Sequence, residues 1–133
     1  QAGKADEASL QRGLDDVTAT LALAPDFAAA RAVRALLLVE LATARPRALD
    51  EALADAGALP TVALARWTEA LVWTLRTLEA DLTNGELLRR QALVVAALKA
   101  ARAGGLDIAS RLRKDWRFET LRDAGVLDEL LGR

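Results

Sequence analysis

A chain of 133 residues is long enough for one ordinary hydrophobic core. Alanine and leucine together supply 56 of those residues, aromatics only 4% and tyrosine none, which favours helices and disfavours a sheet. Eighteen basic and 19 acidic residues are spread without a basic block, so no nucleic-acid footprint is supported, and the lack of cysteine and histidine removes disulfides, thiolate metal sites and the commonest general base.

In chain order, the first predicted helix runs from about Asp6 to Ala24, with Leu10, Leu14, Val17 and Leu21 on one face. Pro25 ends it. The second, about Phe27 to Ala44, contains Leu36-Leu37-Leu38-Val39 and so few charges that it needs cover on more than one side. A short helix from Pro46 to Gly57 has proline in its first turn and a glycine suited to its C-terminal cap. Pro60 and Thr61 then open a long helix to about Leu82, with Leu64, Trp67, Leu71, Leu75, Leu78 and Leu82 along one stripe and Val62, Trp73 and Ala80 nearly opposite.

Thr83-Asn84-Gly85 is a turn signal. The helix after it, about Glu86 to Ala103, is expected to bury Leu87, Leu88, Val94, Val95, Leu98 and Ala101, and Gly104-Gly105 ends it. A shorter helix from Leu106 to Lys114 carries Ile108 and Leu112. The last, Phe118 to Leu131, carries Leu121, Leu127, Leu130 and Leu131 and is interrupted at Gly125.

No uncharged stretch exceeds the ten residues from Ala56 to Ala65, well short of the roughly 20 that a membrane-spanning helix needs. No signal-like segment opens the chain, so it reads as cytoplasmic. With no methionine even at position 1, residues 1–133 read as one domain that is a fragment of a larger protein, residues 1–5 being disordered or tag-derived. Arginine outnumbers lysine 15 to 3, a bias associated with GC-rich bacterial genomes.

The feature that organises these helices is self-similarity at an offset of 35 residues. Leu14-Asp15-Asp16 matches Leu49-Asp50-Glu51, and Pro25 matches Pro60. Ala28, Ala30 and Arg31 match Ala63, Ala65 and Arg66, and Ala35-Leu36 matches Ala70-Leu71. A period of this size signals a repeated helix–turn–helix unit whose open apolar face is covered by the next unit.

On these residues the chain resembles the tetratricopeptide repeat family. Leu21-Ala22-Leu23-Ala24-Pro25-Asp26-Phe27-Ala28 is similar to the family's second helix, closing proline and opening of the next unit. Gly13, Ala35, Ala48 and Ala70 fall at its small positions, and Leu38 and Trp73 at a large apolar one. The departures are Arg31 and Arg66 at a large apolar position, Arg34 and Glu69 where leucine is usual, and Asp55 in place of a small residue. The resemblance covers residues 13–80 well and the rest loosely. It implies an all-α fold, a right-handed stack of antiparallel helix hairpins with about seven helices. The run from Leu112 to Asp123 is similar to tails of helical-repeat regions in bacterial eukaryotic-like serine/threonine kinases, with Trp116 where those have proline. It implies a docking or sensor region attached to a kinase.

The candidate partner-binding groove is Arg31, Leu64, Arg66 and Trp67. Trp67 is placed on the inner groove by its register, where tryptophan is a frequent anchor, or else fills core space. Arg31 and Arg66 recur at equivalent positions and could clamp carboxylates as bidentate pairs. Alternatively they pair locally, Arg31 with Asp26 or Asp50 and Arg66 with Glu69 or Glu40. Trp73 is expected in the core and Trp116 between the last helices. Arg89, Arg90, Lys99 and Arg102 read as a basic edge or a solvated face. Ser9 and Ser110 are the only serines and have no histidine to activate them, so no catalytic residue, metal ligand or cofactor site is assigned. The expected function is protein–protein interaction, as scaffold or sensor, with a protein or peptide partner. The alternative is a structural domain that packs within its parent chain or self-associates.

Overall fold

A computed structural model describes residues 6–42 and 45–132, so the expectation for residues 1–5 lies outside the described residues. The chain is all-helical: eight α-helices and one 3-10 turn occur among the described residues, with no strand. They are α1 (Glu7–Leu23), α2 (Ala28–Leu41), α3 (Ala48–Gly57), α4 (Ala63–Arg76), α5 (Asn84–Ala103), α6 (Ile108–Lys114), the 3-10 turn Trp116–Phe118, α7 (Glu119–Asp123) and α8 (Asp128–Leu131). None of these helices is long and apolar enough to cross a membrane. The chain falls into two compact units, residues 1–60 and 61–133.

In the first unit α2 packs against both α1 and α3. Asp6 caps α1, its carboxylate accepting the Ser9 backbone N–H at 2.7 Å. That bond holds the Asp6 carboxyl below its ordinary range. The interior is rich in small residues, with Ala35, Ala52 and Ala56 fully buried and Ala30, Ala32 and Ala48 nearly so, around a few larger ones, Leu21, Leu38, Val39 and Leu41. Small side chains let helices approach closely but bury little apolar area each. On α1 only Leu21 is buried, and Leu10, Leu14 and Val17 remain half-exposed.

In the second unit α4 packs against α5 and against the 3-10 turn, and α6 packs against α5 and α8. Its interior is bulkier, with Leu71, Val72, Val94, Leu98, Ile108, Leu112, Phe118, Leu121 and Leu127 all fully buried. Gly104 allows the end of α5 to approach the start of α4, since a Cβ there would lie 2.7 Å from the Ala63 Cβ.

The 35-residue offset reappears in the helices. α2 and α4 are both 14 residues long, and α4 lies 35 residues beyond α2 at each end. Each starts from an extended residue with no side-chain cap, Phe27 and Val62.

Two expectations about helix limits change, and one about burial. The long helix predicted to reach Leu82 ends at Arg76. There the Thr77 backbone N–H is shared between the Trp73 and Thr74 carbonyls, and Leu78 N–H goes to Leu75. This three-residue bonding tightens the last turn. Thr74 and Thr77 hydroxyls also donate to the Ala70 and Thr74 carbonyls, at 2.7 and 2.6 Å. Asp81 then takes the left-handed conformation, φ 63°, which turns the chain. The last predicted helix is broken into the 3-10 turn, α7 and α8, with Gly125 at φ 78° in the gap as its position suggests. Leu88, expected inside, is 65% exposed on α5.

Candidate functional site

In the first unit the charged centre is Asp55 on α3. It is 5% exposed and reaches α2. Arg34 grips it with two parallel bonds of 2.7 Å, Nε to Oδ2 and Nη2 to Oδ1. Arg31 adds Nη1 to Oδ1 at 3.2 Å, and its Nη2 donates to the Pro25 carbonyl at 3.2 Å. The hydrogen bond to Asp55 raises the Arg34 pKa further, and the field of Glu51 adds to this. Burying the carboxylate is tolerable only because both oxygens are engaged by charge-assisted donors. The arginines stay near the surface, with side chains 27% and 24% exposed. The result is two guanidiniums fixed in orientation. Nη1 of Arg34 takes no part in its grip on Asp55.

Within the second unit, Trp67 on α4 is only 4% exposed. Its ring lies 5.2 Å from that of Phe118 at a tilt of 40°, a favourable aromatic geometry. The Arg111 guanidinium sits 5.4 Å from the Trp67 ring centroid. Trp67 therefore fills the interior of its unit, the second of the two readings that its register allows. Arg66 forms an ion pair with Glu69 at 3.0 Å, one of the local pairings expected for it. Burial pushes the Glu69 carboxyl above its ordinary range, with Arg66 opposing. Leu64 is half-buried, and its carbonyl accepts the Thr68 hydroxyl at 2.9 Å. Leu64, Arg66 and Trp67 thus share α4, while Arg31 belongs to the first unit and pairs with Asp55 in place of Asp26 or Asp50.

The other two tryptophans are less buried than expected. Trp73 is half-buried, with the guanidiniums of Arg76 and Arg89 at 5.4 and 5.7 Å from its ring. Its position near the end of α4 brings those arginines to its faces instead of apolar side chains. Trp116, expected between the last helices, is 64% exposed. The chain turns there on a 3-10 geometry that buries Phe118 instead.

Arg89 and Arg90 do not form an open basic edge. Glu86, in the first turn of α5, accepts from Arg89 at 2.7 and 3.0 Å and from Arg90 at 2.9 Å. Those bonds lower its pKa to about 2. Arg90 also donates to Glu79 and to the Arg76 carbonyl at the end of α4. Thr83 caps α5 by accepting the Glu86 N–H at 3.1 Å. Near the C-terminus, burial pushes the Asp115 carboxyl up, but bonds from the Arg117 side chain and backbone outweigh it and leave it below its ordinary range.

Sequence reasoning missed Asp55 and Glu86 as the charged hubs. A signal existed for each: an acid at a small-residue position for Asp55, and the Thr-x-x-Glu spacing for Glu86. Among the described residues no group of acidic side chains is arranged to hold a metal ion. Compared with family models, with curated proteins and with solved structures, the chain matches none.

Proposed function

We propose that this chain is a protein-interaction module, a scaffold or sensor built from repeated, tetratricopeptide-like helix hairpins within a larger bacterial signalling or regulatory protein such as a serine/threonine kinase. Two equal helices 35 residues apart, both begun on an uncapped extended residue, support the repeat reading. The observation that carries the binding reading is the pair Arg31 and Arg34, held by buried Asp55 yet still partly exposed. A guanidinium whose rotamer is already fixed loses less entropy when it takes up a carboxylate. The partner would be an extended acidic segment crossing α2.

The test uses a labelled Gly-Ser-Glu peptide with a free C-terminal carboxylate, read by fluorescence anisotropy. Arg31→Ala should weaken its binding about tenfold with helicity retained. Equal affinity for the parent and the variant would contradict the assignment.

A second reading, self-association, is favoured by one patch. Leu23 is 90% exposed and Phe27 is 51% exposed at the α1–α2 turn. Light scattering separates the two: molar mass that rises with concentration and returns to monomer in Leu23→Asp supports self-association.

A further inference from the structure

Helix α5 is apolar on two sides. Its buried side is Val94, Ala97, Leu98 and Ala101. Roughly a third of a turn away, Leu88, Ala92, Val95, Lys99 and Arg102 follow one another at spacings of four, three, four and three, which aligns them along the helix. The first half of this stripe is apolar. Leu88 is largely exposed, and Gln91, Ala92, Val95, Ala96, Lys99 and Val126 line an open recess of about 480 Å³. The second half is basic and exposed. Lys99 forms a pair with Glu129 at 3.3 Å, both side chains well exposed at 44% and 72%. Such an open pair contributes little and exchanges readily for a better-placed carboxylate.

We infer that this stripe docks an amphipathic helix of a partner protein, with leucine-like side chains over Leu88, Ala92 and Val95 and carboxylates facing Lys99 and Arg102. The inference rests on the interaction-module reading but uses a different surface from Arg31 and Arg34. Charge favours this occupant over a second copy of the chain in the parallel sense. An antiparallel copy would set Lys99 and Arg102 near the start of the other α5, where Glu86 is already held by Arg89 and Arg90, and the self-association outcome of the experiment separates that case. A parallel copy would set like charges side by side. An acidic helix brings the opposite sign to the basic half and apolar cover to the other, the helix-in-groove mode of recognition.

Two synthetic helical peptides of equal length test this on the full chain, both with a leucine stripe, one ending in glutamates and the other in lysines. The glutamate peptide should bind about tenfold more tightly at low salt, and the preference should shrink as salt is added. The double variant Lys99→Glu, Arg102→Glu should reverse the preference, and Val95→Glu should weaken both peptides. Circular dichroism checks that these outward-facing changes leave helicity intact. Equal binding of the two peptides, or a preference unchanged by the charge reversal, would overturn the inference. So would self-association abolished by Val95→Glu, which would give the stripe to a second copy. The peptide used for Arg31 and Arg34 has no apolar stripe, so failure of one surface is read separately from failure of the other.

Discussion

Residues 28–41 and 63–76 begin from one helical plan and end in two different interiors. In the first unit α2 buries Ala30, Ala32 and Ala35 before Leu38, Val39 and Leu41, and holds a buried carboxylate through Arg31 and Arg34. In the second unit the same register supplies Ala65, Trp67 and Ala70, and Glu69 stands where Arg34 stood. There the large ring at 67 is met by Phe118, and the interior is mainly leucine and aromatic. A repeat period thus fixes where helices start and stop more firmly than it fixes what holds them. Alanine positions set the approach of the helices in both units. The larger positions decide between a small polar-centred interior and a bulky apolar one.

The comparison is broken most severely at Phe118. Phe118→Ala should cost about 3–5 kcal/mol, because a fully buried ring against Trp67 is lost and a cavity remains. Chemical denaturation with Trp fluorescence measures it, and a loss under about 1 kcal/mol would mean that the aromatic pair is dispensable. The counterpart in the first unit is Asp55→Ala, expected to cost about 1–3 kcal/mol by leaving two arginines without their acceptor. Asp55→Asn should recover part of that loss.

Two glycines sharpen the contrast with opposite signs. Gly104→Ala should destabilise by about 1–3 kcal/mol, since the new methyl would collide with Ala63. Gly13→Ala should stabilise by about 0.5–1 kcal/mol. Its Cβ would meet the Leu37 methyls at 3.5 and 3.6 Å, an ordinary contact, in the interior of α1. Melting temperatures should move down for the first and up for the second.

The smallest effect belongs to Glu86. Its folded pKa of about 2 lies below the ordinary 4.5, so its contribution is present above pH 4.5 and is lost as the pH falls toward 2. Glu86→Gln should flatten the stability profile in that window and leave it unchanged near neutrality apart from a constant offset. An unaltered acid limb would contradict the role given to the Arg89 and Arg90 bonds.

Much of the fold was legible in the sequence. Proline, glycine and the Thr83-Asn84-Gly85 turn marked most boundaries, and the offset of 35 placed α2 and α4. The end of α4 was hidden because Leu78 and Leu82 continue its apolar period, while the signal that stops it lies in the hydroxyls of Thr74 and Thr77. The site was harder to read. A tryptophan at a repeat position has the same spacing whether it lines a groove or a core, and only the distant Phe118 decides. Arg31 was legible as a paired arginine but not its partner, because Asp55 lies 24 residues away on α3.

The central claim is that one helical plan supports an alanine-rich, carboxylate-centred first unit and a second one filled mainly by leucine and aromatic side chains. Amide hydrogen exchange on the intact chain tests it directly, since protection follows local buried contact. The account expects the amides of α4 and the buried stretch of α5 from Val94 to Ala101 to exchange far more slowly than those of α1, where Leu21 alone is buried. Protection in α1 equal to that in α4 would contradict it.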